Sequence, residues 1–213
     1  WIKSIGVPKD IYAAVDLLAD PKLGKQDVVR ASVLDHMMRP MSDSYMVNVG
    51  GIGIDARVCV YVNALKKAGK RGKILYVTSL LRAIKERKPA VAKVEVDGRT
   101  VFEGPYYSMA LGVGKYSGGG MRQTPAAVMD DGMVDLTIIP ELPLKRIVRE
   151  VWKLFTDSFL TVPEVISVKG KSVVVTPVAG SSEEPVEVDG EVVGKISAQF
   201  DVLDTQINVV TGK

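Results

Sequence analysis

Apolar and polar residues alternate over many short stretches of this chain, and a period of two residues is typical of half-buried β-strands. Residues 91–96 alternate in this way, and the Asp97–Gly98 pair that follows them is the best hairpin signal in the sequence. Similar turn residues recur at 169–171 and 189–191, and residues 39–44 predict the turn of an earlier hairpin. The other segments with a strand pattern lie at residues 26–35, 45–49, 106–113, 133–139, 165–168, 172–178, 186–188, 198–202 and 207–210.

Helical periodicity interrupts these strands in four places, where apolar residues recur at intervals of three and four. A short helix is predicted after Pro8, and two more are predicted around 58–65 and 75–84. The fourth, from Leu144 to Phe155, carries its apolar residues on one face. Together these elements predict an α+β fold that is mainly β, in which an antiparallel β-sandwich carries inserted helices.

Composition and charge narrow the class of protein. The 213 residues are 46% hydrophobic and 25% charged, which is ordinary for a soluble globular protein, and the net charge is only +3. Because basic residues cluster only at 66–73 and 85–88, we expect no nucleic-acid partner. No apolar run approaches the length that spans a bilayer, so we expect a cytoplasmic protein. Peripheral contact of the segment 66–73 with the inner membrane face stays open.

The first residue and the scarcity of metal-binding side chains add two expectations. The chain starts at Trp1 rather than at a methionine, so we expect it to be a fragment of a longer protein. A single cysteine, Cys59, and a single histidine, His36, exclude an intrachain disulfide and a zinc site with the usual ligands. A bound metal would therefore be a hard ion with oxygen ligands.

The stretch from Gly112 to Asp135 combines a glycine-rich segment with an acidic one. Three glycines, Gly118–Gly120, allow a left-handed backbone and the close approach of a ligand. The acidic turn Asp130–Gly132 could hold Mg²⁺ or Ca²⁺, although such turns are also common without a metal. Neither 112–115 nor 50–53 completes a phosphate-loop or dinucleotide-binding motif. These residues predict a loop that contacts a ligand. Whether the acidic turn binds a metal ion stays open.

A second acidic segment runs from Glu183 to Glu191 and contains the Asp189–Gly190 turn. Its charges fit a solvated hairpin that keeps a sheet edge from pairing, which is the simpler interpretation. A carboxylate that points from such a turn into a cleft can instead accept the proton of a hydroxyl group, and Glu191 is the residue that this alternative singles out.

Four segments carry a family resemblance when they are taken in order. They are Asn48–Ala56, Gly118–Met121 with Pro125 and Ala127, Asp131–Leu136, and Val188–Glu191. They resemble the Asn-x-x-Gly-Ile-Gly-Phe-Asp-Ala, Gly-Gly-Gly-Met, Asp-Gly-Leu-Leu-Asp-Val and Asp-Gly-Glu motifs of the diacylglycerol kinase catalytic family, bacterial lipid kinases related to sphingosine kinases and NAD kinases. The resemblance implies the C-terminal domain of a two-domain enzyme. Residues 1–24 would be a linker and helix at the boundary with an N-terminal nucleotide-binding domain, and residues 25–213 would be the β-sandwich.

The resemblance also assigns roles to residues in these segments. Glu191 would be the general base on the lipid hydroxyl, with Asp189 beside it in the same turn. Asp131 and the backbone carbonyl of Met133 would bind a structural Mg²⁺ ion. The residues that would contact the lipid substrate are Asn48, Gly118, Gly119, Gly120 and Met121.

The activity that the resemblance implies is an ATP- and Mg²⁺-dependent transfer of the γ-phosphate to the hydroxyl of diacylglycerol or a similar lipid. The family's Gly-Gly-Asp-Gly-Thr nucleotide loop does not occur in these 213 residues, so the N-terminal domain would bind most of the ATP and we expect the isolated chain to be inactive. An NAD kinase-like domain and a non-catalytic lipid-binding or interaction module stay open as alternatives. Long edge strands commonly pair between subunits, so a homodimer is open as well.

Overall fold

Thirteen β-strands and four α-helices form in the computed structural model, which describes residues 1–70, 74–86, 90–156 and 158–212. The helices are α1 (Ile11–Asp16), α2 (Ile54–Lys67), α3 (Ile74–Lys85) and α4 (Leu144–Glu150). The strands are β1 (Lys22–Gln26), β2 (Val29–Leu34), β3 (Pro40–Met46), β4 (Val49–Gly53), β5 (Val91–Val96), β6 (Arg99–Gly112), β7 (Val134–Pro140), β8 (Ile166–Gly170), β9 (Ser172–Pro177), β10 (Pro185–Val188), β11 (Glu191–Lys195), β12 (Ala198–Val202) and β13 (Ile207–Thr211). These elements confirm the predicted α+β fold that is mainly β.

Eleven of the described strands form one antiparallel sheet that curls on itself into two packed layers. The order along it is β11-β10-β4-β6-β5-β9-β12-β2-β3, with β7 and β8 attached beside β6. Strand β6 is 14 residues long and belongs to both layers, because its first half pairs with β5 and its second half pairs with β4 and β7. The ends of the sheet meet where Gly194 of β11 packs on Val33 of β2, since a Cβ atom at Gly194 would lie 2.7 Å from the valine side chain. The predicted antiparallel sandwich is confirmed and is nearly closed.

The core lies between the two layers and consists of apolar side chains from both. Its largest fully buried apolar side chains are Met46, Ile52, Tyr106, Met109, Leu111, Leu136, Ile138 and Phe200. Gly50 on β4 is required for this packing, because a Cβ atom there would lie 2.9 Å from the backbone oxygen of Glu187 and 3.0 Å from Met46 Sδ. Strand β10, which carries part of the acidic segment, is thereby held close to the core.

The first hairpin turns earlier than the sequence pattern predicts. The pattern places its turn at 39–44, but β3 already begins at Pro40. The Asp35 carboxylate accepts hydrogen bonds from the backbone N–H groups of Met37 and Arg39, at 2.8 and 2.9 Å. Because the Asp35 side chain accepts hydrogen bonds from the backbone N–H groups of the turn, the chain reverses directly after Asp35, and the residues from Pro40 onward pair as a strand.

The turn at 169–171 does not close a hairpin. Strand β8 pairs with β7, whereas β9 pairs with β5 and β12, so the chain passes here from one layer to the other. The Asp97 carboxylate accepts hydrogen bonds from the backbone N–H groups of Lys171 and Ser172, at 2.9 Å each. A Cβ atom at Gly170 would lie 2.6 Å from Asp97 Oδ2, so the glycine lets the crossing segment pass close to this aspartate.

The two helices predicted around 58–65 and 75–84 form as α2 and α3. They pack against each other, and α2 also covers β4 and β10. Arg57 on α2 forms a bidentate ion pair with the buried Glu184, with N–O distances of 2.5 and 2.7 Å. This pair fixes α2 above the β10–β11 hairpin. Four residues of the predicted basic clusters lie outside the described residues, and they are Arg71, Lys73, Arg87 and Lys88.

Two peripheral segments complete the fold. The predicted helix over 144–155 is formed as α4 followed directly by a 3₁₀ helix, Val151–Phe155. Near the N-terminus, β1 pairs with β13 in a small separate sheet, so residues 22–24 are part of a strand. Across the described ranges, every helix is too short or too polar to cross a bilayer.

Candidate active site

A cavity of about 280 Å³ opens where the start of β4, helix α2 and the β10–β11 hairpin meet. Trp1 and the loop that follows β6 complete its walls. Three carboxyl side chains line it, and they belong to Asp55, Glu187 and Asp189. A concave site in which apolar walls surround a few polar groups is the usual form of a binding site for a small ligand or head group.

Asp189 anchors the hairpin to the neighbouring strand. Its carboxylate accepts hydrogen bonds from the backbone N–H groups of Val47, Asn48 and Val49, at 2.8, 3.0 and 3.0 Å. Its φ of 51° is a left-handed conformation, which aspartate adopts more readily than most residues. Because backbone donors engage both carboxylate oxygens, Asp189 shapes the cavity in this structure, and a direct catalytic role for it stays a prediction.

Asn48 joins the same part of the chain to the glycine-rich loop. Its Nδ2 donates a hydrogen bond to the carbonyl oxygen of Tyr116 at 3.0 Å, and its own carbonyl accepts from the N–H groups of Val113 and Gly114. A Cβ atom at Gly114 would lie 2.2 Å from Asn48 Oδ1, so only glycine fits there. Asn48 therefore lines the cavity and also positions the loop that forms the opposite wall.

Glu187 is buried in the cavity wall, with 6% of the residue exposed. Its Oε2 accepts a hydrogen bond from the N–H of Gly190 at 2.8 Å, whereas its Oε1 has no hydrogen-bond partner among the described residues. Gly51 on β4 leaves room for it, because a Cβ atom there would lie 2.9 Å from Glu187 Oε1 and 3.1 Å from the Cβ of Asp55. The two acidic side chains thus flank a single glycine.

Burial controls the protonation of Glu187. Loss of solvation raises the pKa of Glu187 to about 8, against the hydrogen bond from Gly190 that lowers it. The negative charges of Asp55 and Asp189 raise this pKa further. At neutral pH Glu187 is therefore mostly protonated, and its carboxyl group can donate a hydrogen bond into the cavity.

Burial perturbs the pKa of two further groups in the cavity wall, Asp55 and Cys59. Burial raises the pKa of Asp55, and hydrogen bonds from Ser108 and Gln123 act in the opposite direction. Burial also raises the pKa of the Cys59 thiol to about 12. Since the thiolate is the reactive form of cysteine, Cys59 contributes an inert apolar surface to the wall at neutral pH.

The residues predicted to contact substrate are brought together in part. Asn48, Gly118 and Met121 line the cavity. Gly118 begins the 3₁₀ turn Gly118–Gly120, in which Gly120 has the left-handed φ of 86°. Glu191 is the exposed first residue of β11, outside the cavity wall and directly after the wall residue Gly190.

The predicted metal turn lies outside the cavity wall, ahead of β7. Asp131 Oδ1 accepts a hydrogen bond from the N–H of Met133 at 3.1 Å, and its Oδ2 accepts one from Lys169 Nζ at 2.8 Å. Asp135 nearby is buried, and burial raises its pKa to about 6. In the part of the chain that the structure describes, no three His, Cys, Asp or Glu side chains surround one ion position. In this structure the Asp131 carboxylate binds the ammonium group of Lys169. Binding of Mg²⁺ by Asp131 and the carbonyl of Met133 stays a prediction.

Comparison with known proteins assigns this architecture to a family. Residues 48–211 match the model of the YegS C-terminal NAD kinase beta sandwich-like domain. The chain belongs to this family. The match begins at Asn48 and contains both the glycine-rich loop and the β10–β11 hairpin, so all walls of the cavity except Trp1 lie within the YegS-type domain.

Relatives of this YegS-type domain include named lipid kinases. A diacylglycerol kinase of Staphylococcus haemolyticus is 26% identical over 211 residues, which are 99% of this chain and 59% of that protein. A YegS-like protein of Stenotrophomonas maltophilia, named a probable lipid kinase, is 27% identical over 144 residues, or 65% of this chain and 45% of that protein. A crystal structure from Bacillus anthracis, provisionally named a diacylglycerol kinase, matches with a TM-score of 0.73 and 25% identity over 99% of this chain and 64% of that one. The chain spans less than two thirds of the length of these relatives.

Sequence reasoning missed Glu187 as a residue of the YegS-type cavity. Its alternation with Val186 and Val188 places it on the solvent side of an edge hairpin, but β10 is covered on that side by α2. Strand register sets Glu187 directly opposite Gly51. A glycine pair in one strand that faces an acidic residue in the next is the signal that could have revealed the space for a buried carboxyl group.

Proposed function

We propose that this chain is the C-terminal domain of an ATP- and Mg²⁺-dependent lipid kinase, which transfers the γ-phosphate of ATP to the hydroxyl of diacylglycerol or a similar lipid. The part of the parent protein outside this chain would bind most of the ATP. Membership of the YegS-type family and the names of the relatives support this proposal. The observation that carries it is Glu187, a buried carboxyl group in the cavity wall with one oxygen that no described residue binds.

The protonated Glu187 gives the cavity a hydrogen-bond donor for an uncharged, oxygen-rich head group. The glycerol hydroxyl and ester oxygens of diacylglycerol can each accept such a bond. A phosphorylated or carboxylated head group would bring a negative charge next to the carboxylate of Asp189, and like charges this close disfavour binding. The cavity therefore favours a neutral alcohol as acceptor over an anionic lipid.

Glu191 is the carboxylate that we propose as the general base. It lies next to Gly190 at the edge of the cavity, where an acceptor hydroxyl held from inside by Glu187 would point outward. Asp189 acts as a positioning residue, because its three backbone hydrogen bonds fix the turn from which Glu191 projects. Mg²⁺ bound with ATP would neutralise charge on the transferred phosphoryl group.

Variants of the full-length parent protein test these roles in a diacylglycerol phosphorylation assay. Glu191→Gln should reduce kcat by at least about a hundredfold and leave KM for diacylglycerol unchanged, because only proton transfer is lost. Glu187→Gln should keep kcat and KM near wild type at neutral pH, since an amide also donates a hydrogen bond, whereas Glu187→Leu should raise KM.

The pH dependence of KM separates Glu187 from a merely structural residue. Wild-type KM should rise as the pH passes about 8, where Glu187 loses its proton, and KM of Glu187→Gln should stay constant over the same range. Near-normal turnover by Glu191→Gln would exclude it as the base. A parent protein that phosphorylates NAD and no lipid would overturn the proposed function in favour of an NAD kinase.

A further inference from the structure

The helical segment from Leu144 to Phe155 presents an exposed apolar surface. Among the side chains of this segment that the structure describes, four are large, apolar and exposed, and they are Val148 (66%), Val151 (39%), Trp152 (56%) and Phe155 (56%). Val148, Trp152 and Phe155 are separated by four and three residues, so they share one face of the helical segment. A row of this kind is rare on a soluble surface unless something covers it.

Basic side chains accompany this apolar face. The segment contains four basic residues and one acidic residue, Glu150. Arg146 is held in place by a bidentate ion pair with Glu164, at 2.9 Å for both bonds, and Lys153 pairs with Glu150 at 2.9 Å. Lys145 and Arg149 are exposed, and Arg149 is 68% accessible although it contacts Glu150. Arg149 precedes Trp152 by three residues and Lys145 precedes Val148 by three, a spacing that makes side chains neighbours on a helix surface.

The same segment is connected to the candidate active site. The backbone N–H of Arg122 donates a hydrogen bond to the carbonyl oxygen of Leu154 at 2.6 Å. Met121, the residue before Arg122, lines the cavity. The loop that forms one wall of the cavity is thus fixed to the inner side of this helical surface.

We infer that Val148, Trp152 and Phe155, with Lys145 and Arg149, form a surface that docks on an anionic lipid bilayer. Exposed tryptophan and phenylalanine beside lysine and arginine are the composition of helices that lie in the membrane interface. A symmetric contact with a second copy of the chain would bring the cations of both copies together, and their repulsion opposes it. The choice of a lipid surface rests on the proposed function, since an acceptor with two acyl chains must be taken from a membrane.

Vesicle flotation of the full-length protein tests this inference. The wild type should float with vesicles of phosphatidylglycerol and phosphatidylcholine, and Trp152→Ser/Phe155→Ser should bind at least about tenfold more weakly. Lys145→Glu/Arg149→Glu should weaken binding by a similar factor, and binding to vesicles of phosphatidylcholine alone should be weak for every variant. Tyr12→Ser is the matched control, because Tyr12 is 79% exposed on α1, which has no basic residue in its last turn.

Brominated lipids give a second readout that a structural defect would not mimic. Part of the tryptophan emission of the wild type should be quenched on vesicles that contain them, and Trp152→Phe should lose that part while it keeps the same melting temperature. Equal binding of wild type and Trp152→Ser/Phe155→Ser, or equal binding to neutral vesicles, would overturn the inference. A wild type that dimerises and does not float, with the dimer lost in Trp152→Ser/Phe155→Ser, would assign the surface to a second copy and overturn it as well.

Activity distinguishes failure of this inference from failure of the proposed function. Trp152→Ser/Phe155→Ser should phosphorylate a water-soluble short-chain diacylglycerol like the wild type and lose activity only on diacylglycerol in vesicles. Absence of lipid phosphorylation in the wild type, together with flotation that depends on Trp152, would refute the kinase proposal and leave the docking surface supported.

Discussion

The raised pKa of Glu187 predicts how Glu187→Gln changes stability with pH. Burial raises this pKa from 4.5 to about 8, so the folded protein keeps a proton that the unfolded chain has already released between these values. The contribution of this proton to the unfolding free energy is fully present below about pH 4.5. It is lost as the pH rises to about 8, at about 1.4 kcal/mol per pH unit. Glutamine has no proton to lose. The unfolding free energy of Glu187→Gln relative to wild type should thus rise by roughly 3 kcal/mol between about pH 5 and pH 7.5.

Urea unfolding of the isolated chain and its variants at a series of pH values measures this difference. Asp135 is present in both proteins, so its own titration largely cancels in the comparison. Asp55 is coupled to Glu187, because its charge raises the pKa of Glu187, so the measured difference includes the titration of Asp55. Glu183→Gln is the matched control, because Glu183 lies near the same hairpin and its side chain is 62% exposed. Its difference from wild type should change by less than about 0.5 kcal/mol over the same range. If the difference for Glu187→Gln is equally flat, Glu187 is not held protonated by burial.

Two further substitutions test the contacts that hold the hairpin in place. Asp189→Ala removes the acceptor for three backbone N–H groups and should lower the unfolding free energy by about 1–3 kcal/mol, whereas Asp189→Asn, which retains one acceptor oxygen, should lose less. Arg57→Ala leaves the carboxylate of Glu184, which is 2% exposed, without its partner and should cost about 3–5 kcal/mol in urea unfolding. Replacing Arg57 and Glu184 together with methionine should recover most of that loss, and a double variant as unstable as Arg57→Ala would contradict this account.

Most of the fold could be predicted from the sequence because local signals and tertiary pairing agree along most strands. The alternation over 91–96 and the Asp97–Gly98 turn predict a hairpin that β5 and β6 form. The turn at 169–171 has similar residues but joins the two layers, because Asp97 binds the backbone on its far side. That outcome depends on a residue some seventy positions earlier in the chain, so no local pattern contains it.

The candidate site was harder to predict, since its chemistry depends on burial rather than on residue type. The segment from Glu183 to Glu191 has the composition of a solvated edge, and its first and last glutamates are exposed as that interpretation requires. Helix α2 covers its middle, where Glu184 and Glu187 are buried. Whether a helix lies over a strand is decided by packing between distant segments, and the alternating pattern of β10 gives no information about it.

The carboxyl groups of Glu184, Glu187 and Asp189 are accommodated in three physically different ways, and this difference sets Glu187 apart from the other two. Glu184 is paired with Arg57, and both carboxylate oxygens of Asp189 accept hydrogen bonds from backbone N–H groups. Among the described residues, Glu187 accepts one hydrogen bond and pairs with no cation, and its burial is accommodated by retention of its proton. Of these three side chains, Glu187 is therefore the one whose carboxyl group can offer a hydrogen-bond donor to the cavity. Because a protonated Glu187 lowers stability as the pH rises to neutral, we expect a bound ligand, rather than the fold, to make use of this residue.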